Sequence, residues 1–213
     1  MTNSSASILV IGDVHGQVTK YHQLLRRVKQ TTQISVQIGD MGFESTYQAL
    51  NLEPTDLFFP GNHDDHTTVE DYENCLGRFG KHEHFFFVGG GHSIDQKWRT
   101  PYFDWWPNEE LNKKEQEICA SLYTEAKPRI MLTHECPDFI VDAIGKPGIL
   151  PKFGYDESWR SSTAKFLGEL YEIHQPEIWA FGHHHQKTEL MHYNTFFRCV
   201  DCVETGDYFV INF

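Results

Sequence analysis

The chain has 213 residues, 39% hydrophobic and 14% aromatic, with a net charge of −12. That length predicts one domain over 1–213, and the apolar share excludes disorder for most of it. No apolar run approaches the roughly 18 residues of a membrane span, the polar opening MTNSSAS lacks the shape of a secretion signal, and the acidic balance disfavours non-specific binding to nucleic acid or anionic membranes.

Residues 8–11 (ILVI) read as a buried strand. Residues 17–30 place Val18, Tyr21, Leu24, Leu25 and Val28 on one face, which predicts a helix. Ile34, Val36 and Ile38 alternate as a strand does, and 56–59 (DLFF) and 85–88 (FFFV) read as further strands. So do 129–132, 177–181, 195–203 and 207–212, the last two expected to close the chain as an antiparallel pair. Helices are expected near 69–79, 111–124, 137–144 and 161–175. This alternation predicts a layered α/β protein with sheet inside and helices outside. Residues 89–108 carry Trp98, Tyr102, Phe103, Trp105 and Trp106 without a regular period, and read as an aromatic-rich loop or flap.

Five short motifs begin where a predicted strand ends. They are Gly12-Asp13-Val14-His15-Gly16, Gly39-Asp40, Gly61-Asn62-His63-Asp64, Thr133-His134 and Gly182-His183-His184-His185. The carboxyl ends of strands border the ligand crevice in α/β sheets, so the motifs should converge. The side chains brought together would be Asp13, His15, Asp40, Asn62, His63, His134, His183 and His185. Oxygen and imidazole donors mixed in this way suit Mn²⁺, Fe, Zn²⁺ or Ni²⁺ better than Ca²⁺ or a thiolate site. Eight groups exceed the needs of one metal and fit two metals sharing a carboxylate. Two divalent cations against two carboxylates leave a positive pocket, which suits a phosphate ester.

In that order, D-x-H, G-D, G-N-H-D, a lone H after a strand, and G-H-x-H resemble the calcineurin-like metallophosphoesterase superfamily. The resemblance implies an αββα fold, a two-sheet sandwich flanked by helices. It assigns Asp13, His15, Asp40 and His185 to one metal and Asp40, Asn62, His134 and His183 to the other, with Asp40 bridging and Mn²⁺ the leading ion. It further implies hydrolysis of phosphate mono- or diesters by a metal-bridging hydroxide. His63 would then act as general acid or transition-state stabiliser. Two departures stand out from the protein-phosphatase branch, which continues its second motif as G-D-x-x-D-R-G: Phe43 replaces the second Asp, and Asp64 stands where that branch has Glu. The partner that orients His63 is therefore expected to be Asp64 or Glu44. Ser93-Ile94-Asp95, Arg99, Trp105-Trp106-Pro107 and Glu109 resemble a stretch of a small single-domain bacterial and phage branch.

Several residues carry two readings. Arg99 is a substrate-phosphate clamp or a structural ion pair, and the Trp105-Trp106 cluster is a base-stacking platform or flap packing. Cys199-x₂-Cys202 reads as core packing, because no second cysteine pair accompanies it. His184 is expected not to be a ligand. Five cysteines, an odd number, do not form a disulfide framework, so a cytoplasmic location is expected. The expected substrate is a small organic phosphate or nucleotide. The alternatives are a non-catalytic interaction module on the same fold and a nuclease for single-stranded ends; the intact ligand set weakens the first, and the charge weakens the second.

Overall fold

The alternation of apolar side chains in β1 (Ser7–Ile11) sets the layering of the whole molecule. Ile8 and Val10 face one way into a core with Val36, Ile38 and Phe59, while Leu9 and Ile11 face the other way onto Tyr21, Leu24 and Leu25 of α1 (Val18–Val28). Both faces of the strand are buried, as expected for a parallel strand covered on each side. A computed structural model describes residues 7–29, 34–42 and 50–212 of the chain. The expectations placed on Phe43 and Glu44 fall outside those residues.

The first sheet joins β1, β2 (Ile34–Ile38) and β3 (Asp56–Phe59) in parallel, with β10 (Phe209–Asn212) antiparallel along the outer edge of β1. The second sheet has the order β4-β5-β6-β7-β9-β8. Its strands are β4 (Phe79–Lys81), β5 (Phe86–Val88), β6 (Ile130–Thr133), β7 (Ile178–Phe181), β8 (Thr188–His192) and β9 (Thr195–Cys199). Strands β5, β6, β7 and β9 run parallel, and β4 and β8 are antiparallel edges. Phe85, Phe87, Ile130, Leu132 and Ala180 meet the first sheet in the central core. The outer face of the second sheet, with Trp179, Phe181 and Phe197, packs under α2 (Lys113–Ala126), α3 (Asp138–Ile144) and α5 (Ser162–Ile173). A short helix, α4 (Ile149–Lys152), lies between α3 and α5. The result is the expected four-layer αββα sandwich.

Helix boundaries follow local chemistry. Asn112 caps α2 by accepting from Glu115 N, and the Glu115 carboxylate accepts from Asn112 N, a reciprocal capping box. Ser161 caps α5 through Ala164 N. Two expectations need correction. The segment 69–79 is not a helix beyond a short 3₁₀ turn at Val69–Asp71. Its backbone bonds the edge of β3 instead, with Phe58 N donating to Asn74 O at 3.0 Å and Leu76 N to Phe58 O at 2.8 Å. Those bonds, with Gly77 at φ +88°, outweigh the helical spacing of its apolar residues. The last two strands do not pair with each other: β9 belongs to the second sheet and β10 to the first. The antiparallel partner of β9 is β8, a strand that the local pattern did not predict.

Candidate metal centre

Strands β1, β2, β3, β6 and β7 all end at the same place. Asp13 and His15 follow β1, Asp40 follows β2, Asn62 and His63 follow β3, His134 follows β6, and His183 and His185 follow β7. All eight side chains singled out by the motifs lie there together. Among the described residues seven non-glycine positions have positive φ, and four of them are His15, Asp40, His183 and His185. L-residues rarely adopt that conformation and it costs energy, so the fold holds these four against their preference. Glycines admit the close approach: a Cβ on Gly182 would lie 2.5 Å from Asp13 Oδ1, and one on Gly61 would strike Asp40.

The donor atoms fall into two groups sharing Asp40. In the first, His185 Nε2 lies 2.9 Å from Asp13 Oδ2 and 3.0 Å from His15 Nε2. His15 Nε2 is 3.6 Å from Asp13 Oδ2 and 3.9 Å from Asp40 Oδ2. In the second, Asn62 Oδ1 lies 2.9 Å from both His134 Nε2 and His183 Nδ1, and His134 Nε2 is 3.4 Å from Asp40 Oδ1. His183 N donates to Asp13 Oδ1 at 3.1 Å, whereas buried Asp13 Oδ2 receives no hydrogen bond of normal geometry. A buried carboxylate oxygen left that way, facing two imidazole nitrogens, is what a metal-binding oxygen looks like without its ion. The donor set fits two divalent cations.

Partners behind the donors fix their orientation. His134 Nδ1 faces Ile38 O at 2.9 Å; a carbonyl only accepts, so Nδ1 carries hydrogen and Nε2 faces the site. His183 turns Nε2 toward Glu135 Oε2 at 3.3 Å, which leaves Nδ1 for the site. Glu135 Oε1 accepts from Cys136 N and faces His184 Nε2 at 2.7 Å, so His184 Nε2 is turned to Glu135 rather than to the donor groups around Asp40. Asn62 Nδ2 donates to Ser93 Oγ at 3.0 Å, and Ser93 Oγ donates to Glu109 Oε2 at 2.6 Å. That chain directs the Asn62 amide oxygen at the two histidines. Sequence reasoning missed Glu135, although it directly follows His134, and noted Ser93 and Glu109 only within a resembling stretch.

Electrostatics match the crowding. Burial works against the charged form of every group here. Against burial, the neighbouring Asp13 and Asp40 carboxylates raise His15 to about 9. Burial likewise opposes, and Asp40 and Asp13 overcome, in raising His134 to about 10. The Asp13 carboxylate, 2.9 Å away, lifts His185 to about 10. Asp13 and Asp40 fall below the usual carboxylate range despite burial, through the surrounding histidines. Burial lowers His183 to about 4. Burial, with help from Arg99 and His15, also lowers His63, although Asp40 opposes.

His63 sits at the edge of the donor groups, its backbone N–H donating to Asp40 Oδ1 at 2.8 Å. Its Nδ1 is buried without a hydrogen-bond partner, so neither Asp64 nor any other described residue orients the ring by that route. The Asp64 carboxylate instead accepts from Gly61 N at 2.8 Å, Gly42 N at 2.8 Å and Met41 N at 3.3 Å, tying the β2 and β3 exits together. Arg99 Nη2 lies 3.5 Å from His63 Nε2 while Asp95 holds the guanidinium at 2.6 and 2.7 Å. Arg99 is thus both ion-paired and aimed at the site. In the 89–108 segment Trp106 is buried, whereas Trp98, Tyr102 and Phe103 are exposed. Cys199 is core, as expected; Cys202 lies beside His185 instead. A cavity of about 620 Å³ opens from the metal centre, walled on its far side by Ile144, Ile149, Leu150, Phe153 and Trp159.

The two-sheet sandwich with paired donor groups at its strand ends is the arrangement that the five motifs predict. Residues 6–187 match the calcineurin-like phosphoesterase family, and the chain belongs to it. Among solved structures the chain is similar to a dimetal phosphatase from Danio rerio, at 10% identity, TM-score 0.59 and coverage of 98% of this chain and 92% of that one. It is also similar to the protein TT1561 of Thermus thermophilus, at 11% identity, TM-score 0.54 and coverage of 98% and 99%. A third likeness is to the phosphopantetheinyl hydrolase PptH of Mycobacterium tuberculosis, at 11% identity, TM-score 0.51 and coverage of 95% and 92%. At such identities these likenesses concern the fold. A search of curated proteins found no match.

Proposed function

We propose that the protein is a dinuclear metal-dependent phosphoesterase acting on a small organic phosphate or nucleotide, and that Mn²⁺ serves it. The observation that carries this reading is the pair of donor groups sharing Asp40, one built on Asp13, His15 and His185 and the other on Asn62, His134 and His183. Two divalent cations held there would supply a nucleophile from water at neutral pH and withdraw charge from the phosphoryl oxygens.

The chain's own residues do the rest. His63, whose charged form burial disfavours, stands at the edge of the donor groups, where it would donate a hydrogen bond to the leaving oxygen. Arg99, fixed by Asp95, adds positive charge beside His63. Lys146, with Nζ 3.4 Å from His184 O, also lines the cavity. The volume of the cavity falls within the usual range for small-ligand pockets, and its apolar far wall suits an organic leaving group. Asp64 acts through the backbone that carries Asp40 and His63. All five cysteines are free thiols, which supports a reducing, cytoplasmic setting. No described helix is long and apolar enough to cross a membrane.

The test is hydrolysis of p-nitrophenyl phosphate against bis-p-nitrophenyl phosphate, using protein stripped of metal and reloaded with Mn²⁺. Turnover is expected only after reloading, and His63→Ala should keep its metals and lose about 10²–10⁴-fold in rate. Metal-independent turnover, or full activity in His63→Ala, would overturn the reading.

A further inference from the structure

Cys202 does not behave like the core residue its spacing with Cys199 suggests. It lies on the loop after β9, only 8% exposed, with its thiol among the donor atoms around His185. The loop is locked against the first motif: Val203 N donates to Asp13 O at 2.8 Å, and a Cβ on Gly12 would lie 2.5 Å from Asp201 O. Cys202 Sγ and donor atoms of Asp13, His15 and His185 all lie within 4.8 Å of one another. A second, independent feature points into the same space. Asp13 Oδ2, on a side chain 1% exposed, receives no normal hydrogen bond and faces these donors.

We propose that Cys202 is a thiolate ligand of the metal held by Asp13, His15 and His185, so that the two metal positions differ in kind. The proposal rests on the dinuclear reading above. Forming the metal–sulfur bond releases the thiol proton to solvent, and no oxidant or reductant is needed. A soft donor on one side only gives the Asp13 position a preference for Zn²⁺ or Fe²⁺, while the oxygen- and nitrogen-only position around Asn62 still suits Mn²⁺. This revises the view that the site as a whole avoids thiolate.

The test loads metal-free full-length protein with Co²⁺ and records its near-ultraviolet absorption beside elemental analysis of bound metal. The expected result is two bound ions with a thiolate-to-cobalt charge-transfer band, the band disappearing in Cys202→Ser while the visible cobalt bands remain. X-ray absorption of the Zn²⁺-loaded wild type provides a readout that needs no variant: a sulfur shell at about 2.3 Å is expected. Cys136→Ser is the control, because Cys136 Sγ lies 3.4 Å from His184 Nε2 and forms a separate group with Glu135. Two bound ions without a charge-transfer band or sulfur shell would overturn the proposal and leave the dinuclear reading standing. So would a sulfur signal lost in Cys136→Ser rather than Cys202→Ser. Absence of any bound metal would overturn both.

Discussion

Three candidate ligands at the centre have a second polar atom engaged by a group that aims them. For His134 that group is the Ile38 carbonyl, for His183 it is Glu135, and for Asn62 it is the Ser93–Glu109 pair. Such outer partners typically change metal affinity by about 10–100-fold when removed. Glu135→Gln and Glu109→Gln should each weaken one bound metal by that order while leaving the other in place. Competition with a metal-sensitive dye would measure this, and unchanged affinity for both ions would contradict the assigned orientation. The donors themselves were legible in the sequence because they cluster in short motifs, most of them glycine-bearing, at strand exits. Their partners were not: Ser93 and Glu109 reach Asn62 from a segment with no periodicity, and only the folded path of 89–108 brings them there.

Among the elements, a buried ion pair ties β9 of the second sheet to the turn that leads into β10 of the first. Arg198 of β9 is 1% exposed, and its Nη2 donates to both carboxylate oxygens of Asp207, at 2.7 and 2.8 Å, just before β10 crosses to the first sheet. Removing one partner of such a pair strands a buried charge. Asp207→Ala should therefore cost about 3 kcal/mol, the lower end for a broken buried pair, because Glu189 remains 3.6 Å from Arg198 Nε. Denaturant midpoints would measure this, and a loss below about 0.5 kcal/mol, ordinary for a surface substitution, would contradict the role. Sequence reading succeeded where a strand or helix is long and its apolar face regular, as in β1 and α1. It failed at 69–79, where apolar residues at helical spacing serve an extended edge. It also failed at β8 and at the pairing of β10, which depend on chain crossings that no local pattern encodes.

Across the whole molecule, the metal-free site stores protons where cations are proposed to sit. His15, His134 and His185 have folded values of about 9, 10 and 10 against 6.5 for a free imidazole, so their contribution to stability is full below pH 6.5 and is lost as pH rises through 9–10. His66 and His183, both lowered to about 4 chiefly by burial, bind protons in the unfolded chain before the folded one, so stability falls as pH drops from 6.5 toward 4. Glu109, raised to about 7 by burial, offsets part of the acid-side fall. Metal-free protein should accordingly be most stable near pH 6.5, and the gain in melting temperature on adding metal should grow with pH, because metal displaces those protons. Melting curves from pH 4 to 10 would show it, and metal-free stability rising steadily to pH 9 would contradict the assignment.

If Asp40 is shared by two cations in one site, the metal stoichiometry of wild type and Asp40→Asn, by equilibrium dialysis with Mn²⁺, shows it. Wild type is predicted to retain two ions per chain and Asp40→Asn, still folded by circular dichroism, to bind neither tightly. One ion or none in the wild type, or two in Asp40→Asn, would contradict the account.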